Sequence, residues 1–179
     1  MNAQTIKNEA KRVKAKYGSA DPFEICEERH IQIIYQPMGT SPGACKGFYL
    51  LNCRCKAIVL NSEMPEDVQR IILAHELGHD ILHSSVAGIN AFHEFSVCDN
   101  TDRLEYEANI FAAEFTLEDE DVLDAFRETN DFFRAACCLN VPPELLDFKT
   151  RLMNRDGYQL ESPITANGDF LKRDITQRM

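Results

Sequence analysis

The run from Val68 to Leu82 constrains this chain most, because it is apolar around every side of a helix and yet carries His75, Glu76 and His79 in its middle. Val68, Ile71, Ile72, His75, His79 and Leu82 follow one another along one face, and Leu73, Leu77 and Ile81 fill the rest. Such a helix belongs inside the protein. Pro65 suits its first position, where a missing N–H costs nothing, and Glu66 and Asp67 put negative charge where the helix dipole favours it. Two imidazoles and a carboxylate are costly to bury unless they are paired or hold a metal. A helix turns about 100° per residue, so His75 and His79 lie one turn apart on one face and can reach a single ion. Glu76 is rotated aside, where its carboxylate can touch a water without taking a coordination place. His75-Glu76-Leu77-Gly78-His79 therefore predicts a zinc-dependent hydrolase, against the plainer reading of a helix that carries two histidines by chance.

Catalytic zinc usually takes three protein ligands and keeps a fourth place for water, so a further ligand is needed. His83 extends the series, but eight residues of helix rise put it about 12 Å along the axis from His75. No glycine between His79 and His83 turns the chain back, so His83 is assigned a place behind the ligands or in the core. The segment from Asp102 to Phe115 offers the alternative. Leu104, Ala108, Phe111, Ala112 and Phe115 make a core-facing stripe, flanked by Glu105 and Asn109 on one side and by Glu107 and Glu114 on the other. Glu105 and Glu107 compete for the ligand role, and periodicity does not separate them. Asp102 and Glu105 also read as a capping box. Asn109, four residues after Glu105, favours Glu105, since it can accept from the free N–H of a ligating imidazole.

The stretches Ile72-Leu-Ala-His-Glu-Leu-Gly-His-Asp-Ile-Leu-His83 and Glu105-Tyr-Glu-Ala-Asn-Ile-Phe-Ala-Ala-Glu-Phe115 together resemble the ImmA/IrrE family of metallopeptidases. The resemblance covers about residues 1 to 155 and is strongest in these two motifs. The family accepts Gln at the position of Glu107, which implies that Glu105 is the ligand. Phe115-Thr116-Leu117 departs from the family's usual run, and the loop from Ser84 to Thr101 is of a variable kind; neither touches a proposed ligand. The resemblance implies a site-specific endopeptidase or a metal-dependent regulator whose target is a helix-turn-helix repressor encoded nearby. Thermolysin-like enzymes add a His or Tyr opposite the metal, and His93 and Tyr106 are the candidates for transition-state stabilisation, with no spacing to choose between them.

With 179 residues and 44% hydrophobic content the chain can bury one good core. It carries no apolar run of about 20 residues and no signal-peptide core, so a cytoplasmic protein with no membrane contact is expected. Its 7 cysteines are odd in number and include no Cys-x-x-Cys pair, which argues against a disulfide framework or a second zinc site. Cys53 and Cys55 would share one face of a strand. A net charge of −10 argues against direct contact with nucleic acid and suits a basic protein partner.

The pattern predicts helices over about Thr5 to Lys16 and Pro22 to Arg29, then strands over 31 to 36, 47 to 52 and 55 to 60, the last two as a hairpin. Helices follow near 120 to 128, 130 to 139 and 143 to 154. The expected fold is α+β, a small antiparallel sheet packed on a mainly helical, zincin-like core with the His-Glu motif on its central helix. Residues 1 to 155 are expected to form a single domain, with 118 to 155 as a helical subregion and 156 to 179 as a flexible tail. Residues 135 to 152 have the outline of a helix-turn-helix, but no basic recognition helix, so packing is the better reading. The sheet would offer an edge for an extended substrate, unless that edge is covered. Two functions of different classes remain: a zinc endopeptidase with Glu76 as base, and a metal-binding regulator that inactivates a repressor without cutting it. The intact Glu76 favours the first.

Overall fold

The computed structural model describes residues 1–41, 43–52, 55–87 and 101–166. Among them the chain forms α1 (Ala3–Tyr17), α2 (Pro22–Glu28), β1 (Ile31–Gln36), β2 (Gly47–Asn52), β3 (Cys55–Asn61), α3 (Glu66–Ala87), α4 (Thr101–Thr116), α5 (Asp119–Thr129), α6 (Phe132–Cys138) and α7 (Pro143–Arg155). The α+β class is as the sequence predicts. No helix among the described residues is long and apolar enough to cross a membrane. Local signals explain the boundaries. Asn2 caps α1 by accepting from Thr5 N at 2.8 Å, and Gly18 ends it in the left-handed region at φ 64. Asp21 caps α2 in the same way, accepting from Phe23 N, with Pro22 at the first helical position.

The sheet departs from the expected antiparallel form. Its order is β1-β3-β2, with β2 antiparallel and β1 parallel to β3. A hairpin forces only β2 and β3 to run in opposite directions. β1 reaches its neighbour through the whole of β2 and the loop before it, long enough to bring β3 back in the same direction. That loop is pinned by the buried side chain of Asn61, which donates to Gly39 O at 2.7 Å and Cys45 O at 3.0 Å and accepts from Met38 N at 3.2 Å.

β2 lies against α3 so closely that a Cβ on Gly47 would stand 2.7 Å from Ile72 Cγ2. Every residue of α3 from Ile71 to Asp80 is buried. Its apolar members, Ile71, Ile72, Leu73, Ala74 and Leu77, each contribute hydrophobic stabilisation, about 1.5–3 kcal/mol for a fully buried Ile or Leu. α4 is buried more widely than a single stripe, since Ile110 and Ala113 are also inside. α1 and α7 cover the faces that α3 leaves open. Ile6, Ala10 and Val13 of α1 join this core, and Lys14 donates to the carbonyls of Glu114 and Phe115, both at 3.3 Å, which closes the C-terminal turn of α4.

Burying α4 on all sides requires partners for its carboxylates. Glu114 accepts from the buried Lys149 of α7 at 3.1 Å, and Lys149 also pairs with Asp119 at 2.5 Å. Lys7 of α1 extends the cluster, bonding Asp119 at 3.2 Å and Asp156 at 2.6 Å. Burial opposes the ionisation of Asp119, and the hydrogen bond from Lys149 with its charge outweighs it, so the carboxyl sits below its usual range.

The first part of the expected flexible tail is held in place. Asp147 accepts from Ser162 Oγ at 2.7 Å and Ala166 N at 2.8 Å, and Asn154 exchanges bonds with the backbone of Leu160, both at 2.8 Å. Leu160 and Ile164 pack on the core behind them. The sequence reads as polar here because the anchors are side chains of α7, which no local pattern in 156 to 166 reveals. Residues 167 to 179 lie outside the described residues.

Candidate metal centre

His75 and His79 project from α3 with their Nε2 atoms 3.2 Å apart. Across from them α4 brings Glu105, whose Oε2 lies 3.2 Å from His75 Nε2 and whose Oε1 lies 3.6 Å from His79 Nε2. Donor atoms of all three fall within 4.8 Å of one another, and all three residues are buried. Bonds of about 2.0–2.2 Å to a tetrahedral ion separate its ligand atoms by about 3.3–3.6 Å, so the 3.2–3.6 Å spacings between these residues are of the size that sharing one ion requires. The donor set agrees. Two imidazole nitrogens and a carboxylate converge inside the protein, a set that a cation stabilises and apolar packing does not. Burial opposes the ionisation of Glu105, yet the hydrogen bonds to His75 and His79 outweigh it and hold its carboxyl well below the usual range. Its competitor, Glu107, is directed elsewhere.

Glu107 faces His83. His83 Nε2 is 3.1 Å from Glu107 Oε2, and Glu107 Oε1 accepts from Arg103 Nε at 2.9 Å. His83 Nδ1 in turn lies 3.2 Å from His79 Nδ1, so His83 sits behind a site histidine and outside the group of converging donors. Asn109 is fully buried one turn after Glu105, but among the described residues its Oδ1 and His75 Nδ1 make no hydrogen bond to each other, so the expected contact between them is not formed. The imidazole that does receive outer support is His79, and it receives it from His83. Tyr106 packs its ring on Phe148 of α7, 5.6 Å between centroids, and so belongs to the α4–α7 contact. One residue after Glu105, it is rotated about 100° away from the metal side of α4. His93 lies outside the described residues. Glu76 is buried on α3 next to His75.

Sequence reasoning missed the residues that hold α3 from behind. Asp80 is fully buried and accepts from Tyr49 Oη at 2.8 Å, Arg29 Nε at 2.8 Å and Lys56 Nζ at 2.6 Å. Burial opposes its ionisation, and the bonds from Lys56, Tyr49 and Arg29 outweigh it, holding the carboxyl below its usual range. One side chain thus ties α3 to β2, β3 and the end of α2. The signal was present, since a charged residue in the middle of an all-apolar helix requires buried partners.

Gly78 sets the distance between the two helices of the site. A Cβ there would stand 3.1–3.3 Å from three atoms of Phe111, which is fully buried and stacked on Phe115. Alanine is the better helix former by about 0.5–1 kcal/mol, whereas overpacking a closed core costs about 1–3 kcal/mol. Phe111 is fully buried and stacked on Phe115, so giving way costs packing. Gly78→Ala should therefore lower stability by about 1 kcal/mol and weaken metal binding, because Phe111 and Glu105 share α4. Urea unfolding of the metal-free variant checks the first part, and a variant more stable than the parent would show that the gap is not closed.

Comparison with known proteins fits this geometry. A family model described as the IrrE N-terminal-like domain, a peptidase family, matches residues 26–151. The chain is 30% identical over 145 residues to the uncharacterized immunity region protein 2 of Bacillus phage phi105, covering 80% of this chain and 88% of that protein. It is 28% identical over 153 residues to the metallopeptidase ImmA of Bacillus subtilis (strain 168), covering 80% of this chain and 83% of the relative. The matched span holds the sheet, both site helices and most of α7, and with them every residue of the converging donor set, so the chain belongs to the peptidase family of the IrrE N-terminal-like domain.

Proposed function

We propose that this protein is a zinc-dependent, site-specific endopeptidase that acts in the cytoplasm on a helix-turn-helix repressor. The observation that carries the reading is the convergence of His75 Nε2 and His79 Nε2, 3.2 Å apart, on the two carboxylate oxygens of Glu105, at 3.2 Å from His75 to Oε2 and 3.6 Å from His79 to Oε1. Two imidazoles and one carboxylate are a donor set that suits zinc. Bound there, zinc would supply Lewis acidity toward a peptide carbonyl and would make a water more acidic. Glu76 takes the proton from the attacking water and delivers it to the departing amine, so that one carboxylate serves as base and then as acid. Glu105 neutralises part of the positive charge, and the burial of the set keeps bulk water from competing for it.

The repressor substrate is supported by the names of the relatives, a metallopeptidase and a phage immunity region protein, and by the net charge of −10, which suits a basic DNA-binding partner and not DNA itself.

His75→Ala, His79→Ala and Glu105→Ala should each be isolated without zinc, while His83→Gln should be isolated with it. Elemental analysis of the purified proteins decides. Retention of zinc by Glu105→Ala would remove that residue from the ligand set. Co-expression with a small helix-turn-helix protein encoded beside this gene, followed by a search for fragments that a chelator suppresses, tests the activity.

A further inference from the structure

We infer that Glu107 and His83 form a positioning relay that fixes the tautomer and ring angle of His79, an assignment that rests on the metal reading above. Hydrogen bookkeeping leaves the chain one direction only. His79 points Nε2 at the other donors, so a lone pair there puts its proton on Nδ1. That Nδ1 lies 3.2 Å from His83 Nδ1, which must therefore accept. The proton of a neutral His83 is then on Nε2, 3.1 Å from Glu107 Oε2, and the carboxylate accepts it. The opposite polarity would need a neutral carboxylic acid 2.9 Å from the guanidinium of Arg103. A doubly protonated His83 would set two N–H groups against each other at the His79 contact. Neutral His83 with its proton on Nε2 is the remaining state.

The relay is built into the interior. His83 and Glu107 are 3% and 4% exposed, whereas the side chain of Arg103 at the outer end is 68% exposed. A carboxylate bonded directly to a ligating histidine is the common arrangement, and it orients the ring and raises its basicity. Here an imidazole is inserted between the two, which lets Glu107 act from α4 on a histidine of α3 while Glu105, two residues earlier, meets the site directly. The support is one-sided. His75 Nδ1 makes no hydrogen bond among the described residues, so the brace falls on His79 alone.

Long-range proton–nitrogen NMR of the full chain, zinc-loaded and labelled at histidine nitrogen, reads the tautomer without any substitution. The expected spectrum has His83 protonated at Nε2 and bare at Nδ1, and a proton on Nδ1, alone or with Nε2, would overturn the relay. Zinc affinity by chelator competition gives a second readout. Glu107→Leu should weaken it about 10- to 100-fold, and Glu107→Gln by less, because the amide oxygen still accepts from Nε2–H. Equal losses, or none, would also overturn it. If Glu107→Leu fails to fold, the spectrum of the unaltered protein decides alone. A parent protein that takes up no zinc refutes the metal reading itself, whereas one that binds zinc with the other His83 tautomer refutes only the relay.

Discussion

Under the proposed mechanism, Glu76→Gln should bind zinc as the parent does and cut the proposed repressor substrate about 10²- to 10⁴-fold more slowly, the range that a lost general base accounts for. Glutamine keeps the size of the side chain and its capacity to hydrogen-bond on a buried helix, so the fold and the neighbouring His75 should be preserved. What it loses is basicity. With no carboxylate to receive the proton, the attacking water stays a poor nucleophile and the departing amine lacks its donor. Fragments should therefore disappear from the co-expression assay while zinc content holds, and repression of the target promoter should persist. The competing idea, a regulator that inactivates its partner by binding, predicts that Glu76→Gln relieves repression as the parent does. That result would displace proteolysis as the mechanism.

Asp80→Ala should lower stability by about 3 kcal/mol, the largest structural effect expected of any single change near the site. The carboxylate is wholly inside, and removing it leaves Arg29 and Lys56 facing each other with no anion between them. Breaking a buried ion pair costs about 3–5 kcal/mol, and the lower end applies because those two side chains are 20% and 28% exposed and can recover some hydration. Asp124→Ala is the control. It breaks a pair with Arg127 whose members are 66% and 72% exposed, where about 0.5 kcal/mol is the expected scale. Urea midpoints of the metal-free proteins compare the two, and equal losses would show that the Asp80 cluster is not a structural tie.

Much of this was legible in the chain because the signals were local. A buried helix with two histidines one turn apart, a proline and acids at its start, and Asn or Gly at element ends specify their own placement within a residue or two. The sheet's mixed order was not legible, since the direction of β1 depends on a crossing loop fixed by Asn61 at a distance. Glu105 and Glu107 could not be separated by period either, both being near the edge of one stripe. What separates them is the rotation of α4 against α3, which Gly78 and Phe111 set by close contact. The same rotation turns Tyr106 toward Phe148 and leaves Asn109 unjoined to His75. Asp80 shows the opposite case, a residue visibly out of place in its segment whose partners come from three other elements.

The Lys7–Asp119–Lys149–Glu114 cluster also bears on what this protein shares with its relatives. The similarity model spans residues 26–151, which includes α4 and Lys149 but leaves out all of α1. Yet α1 lays Ile6, Ala10 and Val13 into the common core, closes the end of α4 with Lys14 and supplies Lys7 to Asp119 and Asp156. A fragment cut to the shared span would keep the converging donors and uncover one flank of the helix that carries Glu105. The span that the family model matches and the span that holds the site helices in place have different borders here, and the matched portion leans on a helix that lies outside it.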